Sequence, residues 1–170
     1  MPLVNTTREG TLTISGISLN PANGAWGVFG DERGEGGLVH LWTKFDVRGE
    51  DRLLPGATGV LAYPRRMTVT RCDLRFLVAG DMIGQTSTPA TDSIQGLATN
   101  LEYLRANILA PVVSATGTRA AVLTVPGQSN RSASVHVLGM VIQSYALSLG
   151  CDGSIAITTL QLSIPGGRFA

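Results

Sequence analysis

Between Met67 and Val78 the chain alternates so regularly that both parities carry meaning. Thr68, Thr70, Cys72, Leu74, Phe76 and Val78 fall on one side, and Val69, Arg71, Asp73, Arg75 and Leu77 on the other. A period of two belongs to an extended strand with one face toward a core. The backbone polar groups of such a strand are satisfied only by neighbouring strands, so the feature commits much of the chain to a sheet. Three later segments supply candidates. RAAVLTVPG (119–127) ends at Pro-Gly, and SASVHVLGMVIQSYAL (132–147) is long, with apolar residues on both faces from Val135 to Ile142. SIAITTLQLSIPGGRF (154–169) shifts its alternation midway: Ile155 and Ile157 share one parity, and Leu160, Leu162 and Ile164 the other. A bulge near Thr158 and Thr159 would reconcile the two halves. GQSNR and LGCDGS supply the hairpin turns between these strands.

The first part of the chain is read the same way. TLTISGISL (11–19) alternates loosely and reads as a strand, and NPANGAWGVFGDERGEGG (20–37) reads as a long loop whose Trp26 and Phe29 dock onto the body. LVHLWTKFDV (38–47) is expected to be a strand, with Val39, Leu41, Phe45 and Val47 opposite His40, Lys44 and Asp46; Trp42 then falls on the polar face. The stretch 48–66 holds Pro-Gly and further turn glycines and cannot be a continuous central strand.

A single segment carries helical spacing. In DSIQGLATNLEYLRANILAP, Asp92 or Ser93 can cap the first amides, with Gln95 at the capping-box position. Ile94, Leu97, Leu101, Leu104 and Ile108 make one apolar stripe, and Pro111 stops the helix. One apolar face packs against the sheet. The expected fold class is therefore mainly β, an antiparallel β-sandwich or open barrel with one flanking α-helix, in a single domain over residues 1–170.

Composition narrows the function. Charged residues make up 15% of the chain, against roughly 25% in typical domains, so little keeps its copies apart. A net charge of +1 argues against partners gripped by bulk electrostatics, such as nucleic acid or an anionic membrane. Twelve of the thirteen basic residues are arginine, Lys44 being the exception, which fits either a GC-rich coding sequence or forked pairing at interfaces. No run approaches the ~18 apolar residues of a membrane span, and the first residues lack a signal-peptide pattern. Cys72 and Cys151 are solitary and read as buried free thiols, in a soluble protein made in the cytoplasm.

Chemistry-bearing motifs are absent. His40 and His136 each stand alone, with no metal-ligand spacing; no G-x-S-x-G elbow, P-loop or dinucleotide fingerprint occurs. Asp31, Glu32, Glu35, Glu50 and Asp51 cluster in early loops, where spacing does not fix the separation that paired-carboxylate chemistry needs. The expectation is no enzyme, no catalytic residue, no cofactor and no metal. A carbohydrate-binding module would need an exposed aromatic platform, for which Trp26 and Trp42 are the tryptophan candidates.

The ordered series RGEDRLLPGATGVLAYPRRMTVTR, GLATNLEYLRANIL, GTRAAVLTVPGQ, SASVHVLGMVI and LQLSIPGGRF resembles a family of minor tail proteins of actinobacterial long-tailed phages, similar to the N-terminal ring-forming domain of distal tail proteins. The resemblance covers about Arg48 to Ala170, and residues 1–47 fit it more loosely. It implies a structural virion subunit without turnover: a homohexameric ring at the distal tail or tail tip, through which DNA passes without specific binding. Its partners would be the tail tube protein and tail-tip or hub proteins, with no membrane insertion. The alternative within the same architecture is a tail tube or tail terminator ring. Distal tail proteins often add a C-terminal sugar-binding domain, which is not expected within a chain ending at Ala170. A closed ring of heterologous contacts needs two different matching surfaces. The expected intersubunit residues are Pro55, Gly56, Tyr63, Pro64, Arg65 and Arg66, with Arg71 and Arg75 on the strand and Glu50 and Asp51 as acidic counterparts.

Overall fold

The computed structural model describes residues 10–29, 37–44, 46–49, 51–53, 60–62, 66–109, 117–149 and 153–170. Its centre is β8 (Thr70–Ala79), which pairs antiparallel along its whole length with β11 (Ile155–Ile164). β11 pairs in turn with β10 (Arg131–Ala146), β10 with β9 (Arg119–Thr124), and β9 with β1 (Thr11–Ile14). Short strands close both edges: β2 (Ile17–Ser18) beside β1 and β3 (Trp26–Val28) beside β8. The result is one curled antiparallel sheet of seven strands, ordered β2-β1-β9-β10-β11-β8-β3. Two ribbons are added by β4 (Val47–Arg48) with β7 (Arg66–Met67), and by β5 (Asp51–Leu53) with β6 (Val60–Ala62). The fold is the expected one: mainly β, an antiparallel half-barrel with a flanking helix.

The alternation of β8 decides which face is core. Thr70, Cys72, Leu74 and Val78 are buried, whereas Arg71 and Asp73 are exposed. Burial of each large aliphatic side chain stabilises the fold by roughly 2 kcal/mol. Helix α2 (Ser93–Leu104) covers this face, followed by a π-helical turn, Arg105–Leu109. The Asp92 carboxylate caps α2 by accepting from the Ile94 and Gln95 amides at 2.7 and 3.3 Å. Leu97, Leu104 and Ile108 are buried as their spacing requires. α2 lies unusually close to the sheet because two glycines meet there. A Cβ on Gly96 would sit 2.0 Å from the Gly80 carbonyl oxygen, and one on Gly80 would sit 1.8 Å from that of Ser93. Asn100, fully buried, ties the following loop to the helix: its amide donates to the Ala79 and Met82 carbonyls, and its carbonyl accepts from the Gly84 amide.

Four expectations are corrected. Residues 11–19 form a hairpin rather than one strand, because Ser15 and Gly16 both take positive φ (51° and 80°) and turn the chain in two residues. Trp26 sits within β3, not in a loop, although it docks as expected: it is fully buried, stacks on Tyr103 at 5.6 Å and donates from its indole N–H to the Ser18 carbonyl. Residues 38–43 form a helix, α1 (Leu38–Thr43), instead of a strand. Leu38 and Leu41 are buried and Trp42 half-buried; offsets of three and four place them on one helical stripe. Finally, β11 has no bulge. Its register with β8 is unbroken, and Ala156 and Thr158 are the core residues ahead of Leu160, Leu162 and Ile164. The irregularities lie in β10 instead, between Val137 and Gly139 and between Ile142 and Ser144. Each extra residue bends β10 and adds twist, which curls the sheet.

Cys72 is a buried free thiol, and Cys151 lies outside the described residues. Burial pushes the Cys72 thiol up to about 12; nearby Lys44 opposes this, while Asp73 and Asp46 add to it. The folded pKa exceeds the unfolded one, so above pH ~9 the unfolded chain loses a proton that the native state keeps. Stability at this site is therefore intact below pH ~9 and falls as pH rises toward the folded value. Alkaline unfolding curves should show this slope, and Cys72→Ala should flatten it. An unchanged slope would remove the assignment.

Candidate functional site

Among the described residues, no group of histidine, cysteine, aspartate or glutamate is arranged to hold a metal ion. His136 is half-buried, its Nδ1 3.1 Å from the Gly117 carbonyl oxygen, and the His40 side chain lies outside the described residues. The tryptophans make no open platform. Trp26 is buried, and the guanidinium of Arg131 lies 3.6 Å over the ring of Trp42 while donating to its carbonyl. What the surface offers instead is strand edges and apolar side chains.

β10 is the larger of these features. β9 pairs with it only from Arg131 to Val135, whereas β11 pairs with it from His136 to Ala146. Its distal half thus keeps one edge unpaired among the described residues. From Val137 to Leu149 that segment contains no charged residue and no proline, the devices that ordinarily protect an edge strand. Leu138, Val141, Ile142 and Tyr145 within it are 46–66% exposed, and Leu149 just beyond is 92% exposed. Lone exposed apolar residues are ordinary; a contiguous run of them on an open edge is not.

A second open edge lies on the opposite side of the sheet. β3 covers β8 only from Phe76 to Val78, and the Phe29 amide extends this by donating to the Arg75 carbonyl. Thr70 to Leu74 have no strand on that side among the described residues. The outer face here carries the predicted arginines. Arg71 is exposed and stands opposite Ser163; Arg75 is half-buried opposite Thr159, with its guanidinium 5.6 Å over the Phe29 ring. Asp73, between them, stands opposite Gln161. The residues facing these charges on β11 are neutral, so the alternation Arg-Asp-Arg finds no cross-strand acid there.

Of the remaining predicted interface residues, Arg66 is exposed on β7, directly opposite Arg48. Asp51 lies on β5 opposite Ala62, with its side chain outside the described residues. Glu50, Pro55, Gly56, Tyr63, Pro64 and Arg65 also lie outside them. The structure brings Arg66 and Arg71 near the open end of β8. The β10 edge was visible in the sequence only as apolar residues on both faces, without its missing neighbour.

No family model matches this chain, and no curated protein is similar to it in sequence. In fold it is similar to the crystal structure of the SPP1 Dit protein, described as a paradigm of the hub adsorption apparatus in phages infecting Gram-positive bacteria. The TM-score is 0.51 at 11% identity, over 92% of this chain and 50% of the other. The chain spans about half the length of that protein. The likeness is one of fold: a phage distal-tail-like architecture.

Proposed function

We propose that this chain is a structural subunit of a long-tailed phage virion, forming a homohexameric ring at the distal end of the tail through which DNA passes. The observation that carries the reading is the uncharged, proline-free edge of β10, unpaired among the described residues, set on a fold similar to that of a phage hub protein. A ring subunit leaves such an edge exposed only until its neighbour arrives. The two open edges lie on opposite sides of the sheet, as a heterologous, closing contact requires. β8 and β10 both run antiparallel to β11 and so parallel to each other. Rotation about a ring axis preserves that sense, so a neighbour's Thr70–Leu74 edge meets β10 in parallel. Arg66 and Arg71 then sit at the junction, with the Pro55, Gly56, Tyr63, Pro64 and Arg65 stretch, Arg75, Glu50 and Asp51 assigned to the same interface. A standard interface of ~800 Å² per partner, repeated around the ring, holds it together.

The proposed role is non-enzymatic, with no cofactor. The tail tube protein and hub proteins are the proposed axial partners, in the tail of a phage of actinobacteria. Negative-stain images of the purified protein should show rings with an open centre. Compact particles with no central hole would sink the reading.

A further inference from the structure

The sequence contains one Asn-Gly pair, Asn23-Gly24, in the turn between β2 and β3. Such a pair is chemically labile, because glycine puts no side chain in the way when its backbone nitrogen attacks the asparagine amide. Each of the other asparagines is followed by a bulkier residue or by proline. In the fold Asn23 is half-buried, and both polar atoms of its side chain are engaged. Its Nδ2 donates to the carbonyls of Gly84 and Thr86 at 2.7 and 2.6 Å, and its Oδ1 accepts from the Ala25 amide at 3.1 Å. These partners fix the amide's orientation, since acceptors face Nδ2 and a donor faces Oδ1. The attacking atom is engaged as well: the buried Gly24 donates its amide to the Pro21 carbonyl at 3.0 Å. Asn23 thereby ties the β2–β3 turn to the loop between β8 and α2, where Gly84 is held in turn by Asn100.

We propose that Asn23 is a deamidation site that the native fold keeps closed, and that its conversion makes a local opening of this turn permanent. In the reaction the Gly24 nitrogen gives its proton to hydroxide and bonds to Cγ of Asn23. The Cγ–Nδ2 bond breaks, and Nδ2 leaves as ammonia with a proton taken from water. Water then opens the cyclic imide at either of its C–N bonds, giving aspartate or isoaspartate. Forming a C–N bond of about 1.45 Å draws Cγ onto the Gly24 nitrogen and pulls Nδ2 off both carbonyls. The Ala25 amide on Oδ1 polarises the carbonyl and favours attack, but two short bonds on the leaving nitrogen and one on the attacking nitrogen oppose it. The reaction therefore waits for the turn to open by local unfolding. Its product cannot close the turn again. A carboxylate has no donor for the Gly84 and Thr86 carbonyls, and it sets a negative charge against their oxygens. Chemical change of this kind is one route by which reversible opening becomes irreversible loss.

The test incubates the wild-type protein at mildly alkaline pH, once folded and once in urea, and follows each asparagine by peptide mass mapping. In urea, Asn23 should convert ahead of every other asparagine. In the folded protein its conversion should be at least about tenfold slower, as a closed turn requires. Asn23→Asp, which writes in one product directly, should lower the thermal midpoint by roughly 5 °C. The wild-type rates depend on no variant, so they decide the first half of the proposal even where the aspartate variant does not fold. Equal rates in the folded and unfolded protein would overturn the protection. An Asn23→Asp midpoint within about 1 °C of the wild type would overturn the permanence. Both measurements hold for a monomer and a ring alike, so neither outcome bears on the ring reading.

Discussion

Trp26→Ala lowers the unfolding free energy by about 4 kcal/mol, the range for emptying a buried aromatic site. Trp26 is fully buried, and its ring joins the edge strand β3 to the helix by stacking on Tyr103. Its indole N–H also holds the β1–β2 hairpin through the Ser18 carbonyl at 2.9 Å. Removing the ring leaves that carbonyl without its donor and opens a cavity between three elements at once. For a chain of this length the thermal midpoint should fall by roughly 10 °C. Trp26→Phe should recover part of the loss through packing alone, since it restores most of the ring but not the donor. A midpoint shift below about 2 °C for the alanine variant would contradict the burial assigned to this site.

The second large effect concerns assembly and leaves the fold intact. Val141→Lys with Ile142→Lys places two charges on the open edge of β10 at positions 49% and 46% exposed. In the isolated subunit both ammonium groups reach water, so the thermal midpoint should change little. In a ring the neighbouring edge would bury at least one of them unpaired, at a cost of several kcal/mol. Every 1.4 kcal/mol is tenfold, so association should weaken by a factor of about 100 or more. Analytical ultracentrifugation reads this directly. A double variant that assembles as tightly as the wild type would show that β10 is not the contact.

How far the sequence revealed this molecule depends on how many structures a given pattern can serve. The alternation of 67–78 was legible because charged residues marked one parity, and from Thr70 on it forms β8, whereas Met67 belongs to the separate short strand β7. The α2 stripe was equally legible, down to the Asp92 cap. LVHLWT was not: over six residues, apolar positions at 38, 39, 41 and 42 satisfy a strand and a helix alike, and tertiary packing decided for the helix. In β11 the small Ala156 and the polar Thr158 occupy core positions, so hydrophobicity pointed to the wrong parity and suggested a bulge that lies in β10 instead. The Ser15–Gly16 turn was hidden because serine rarely adopts positive φ.

The proposed interface was legible in a different sense. Composition signalled a subunit with little charge to keep its copies apart, and the apolar run in 135–142 pointed to the strand that carries the open edge. The arginines are nonetheless the more conspicuous feature, because charge patterns stand out in a sequence and unpaired edges do not. An open edge is a property of topology: among the described residues β9 begins at Arg119, opposite Val135, while β10 continues to Ala146.

The central claim is that this chain assembles with copies of itself, and the most direct measurement is its mass in solution by light scattering across a concentration series. The account predicts a species six times 17.8 kDa, about 107 kDa, that grows with concentration at the expense of the monomer. A constant 17.8 kDa at every concentration would contradict it.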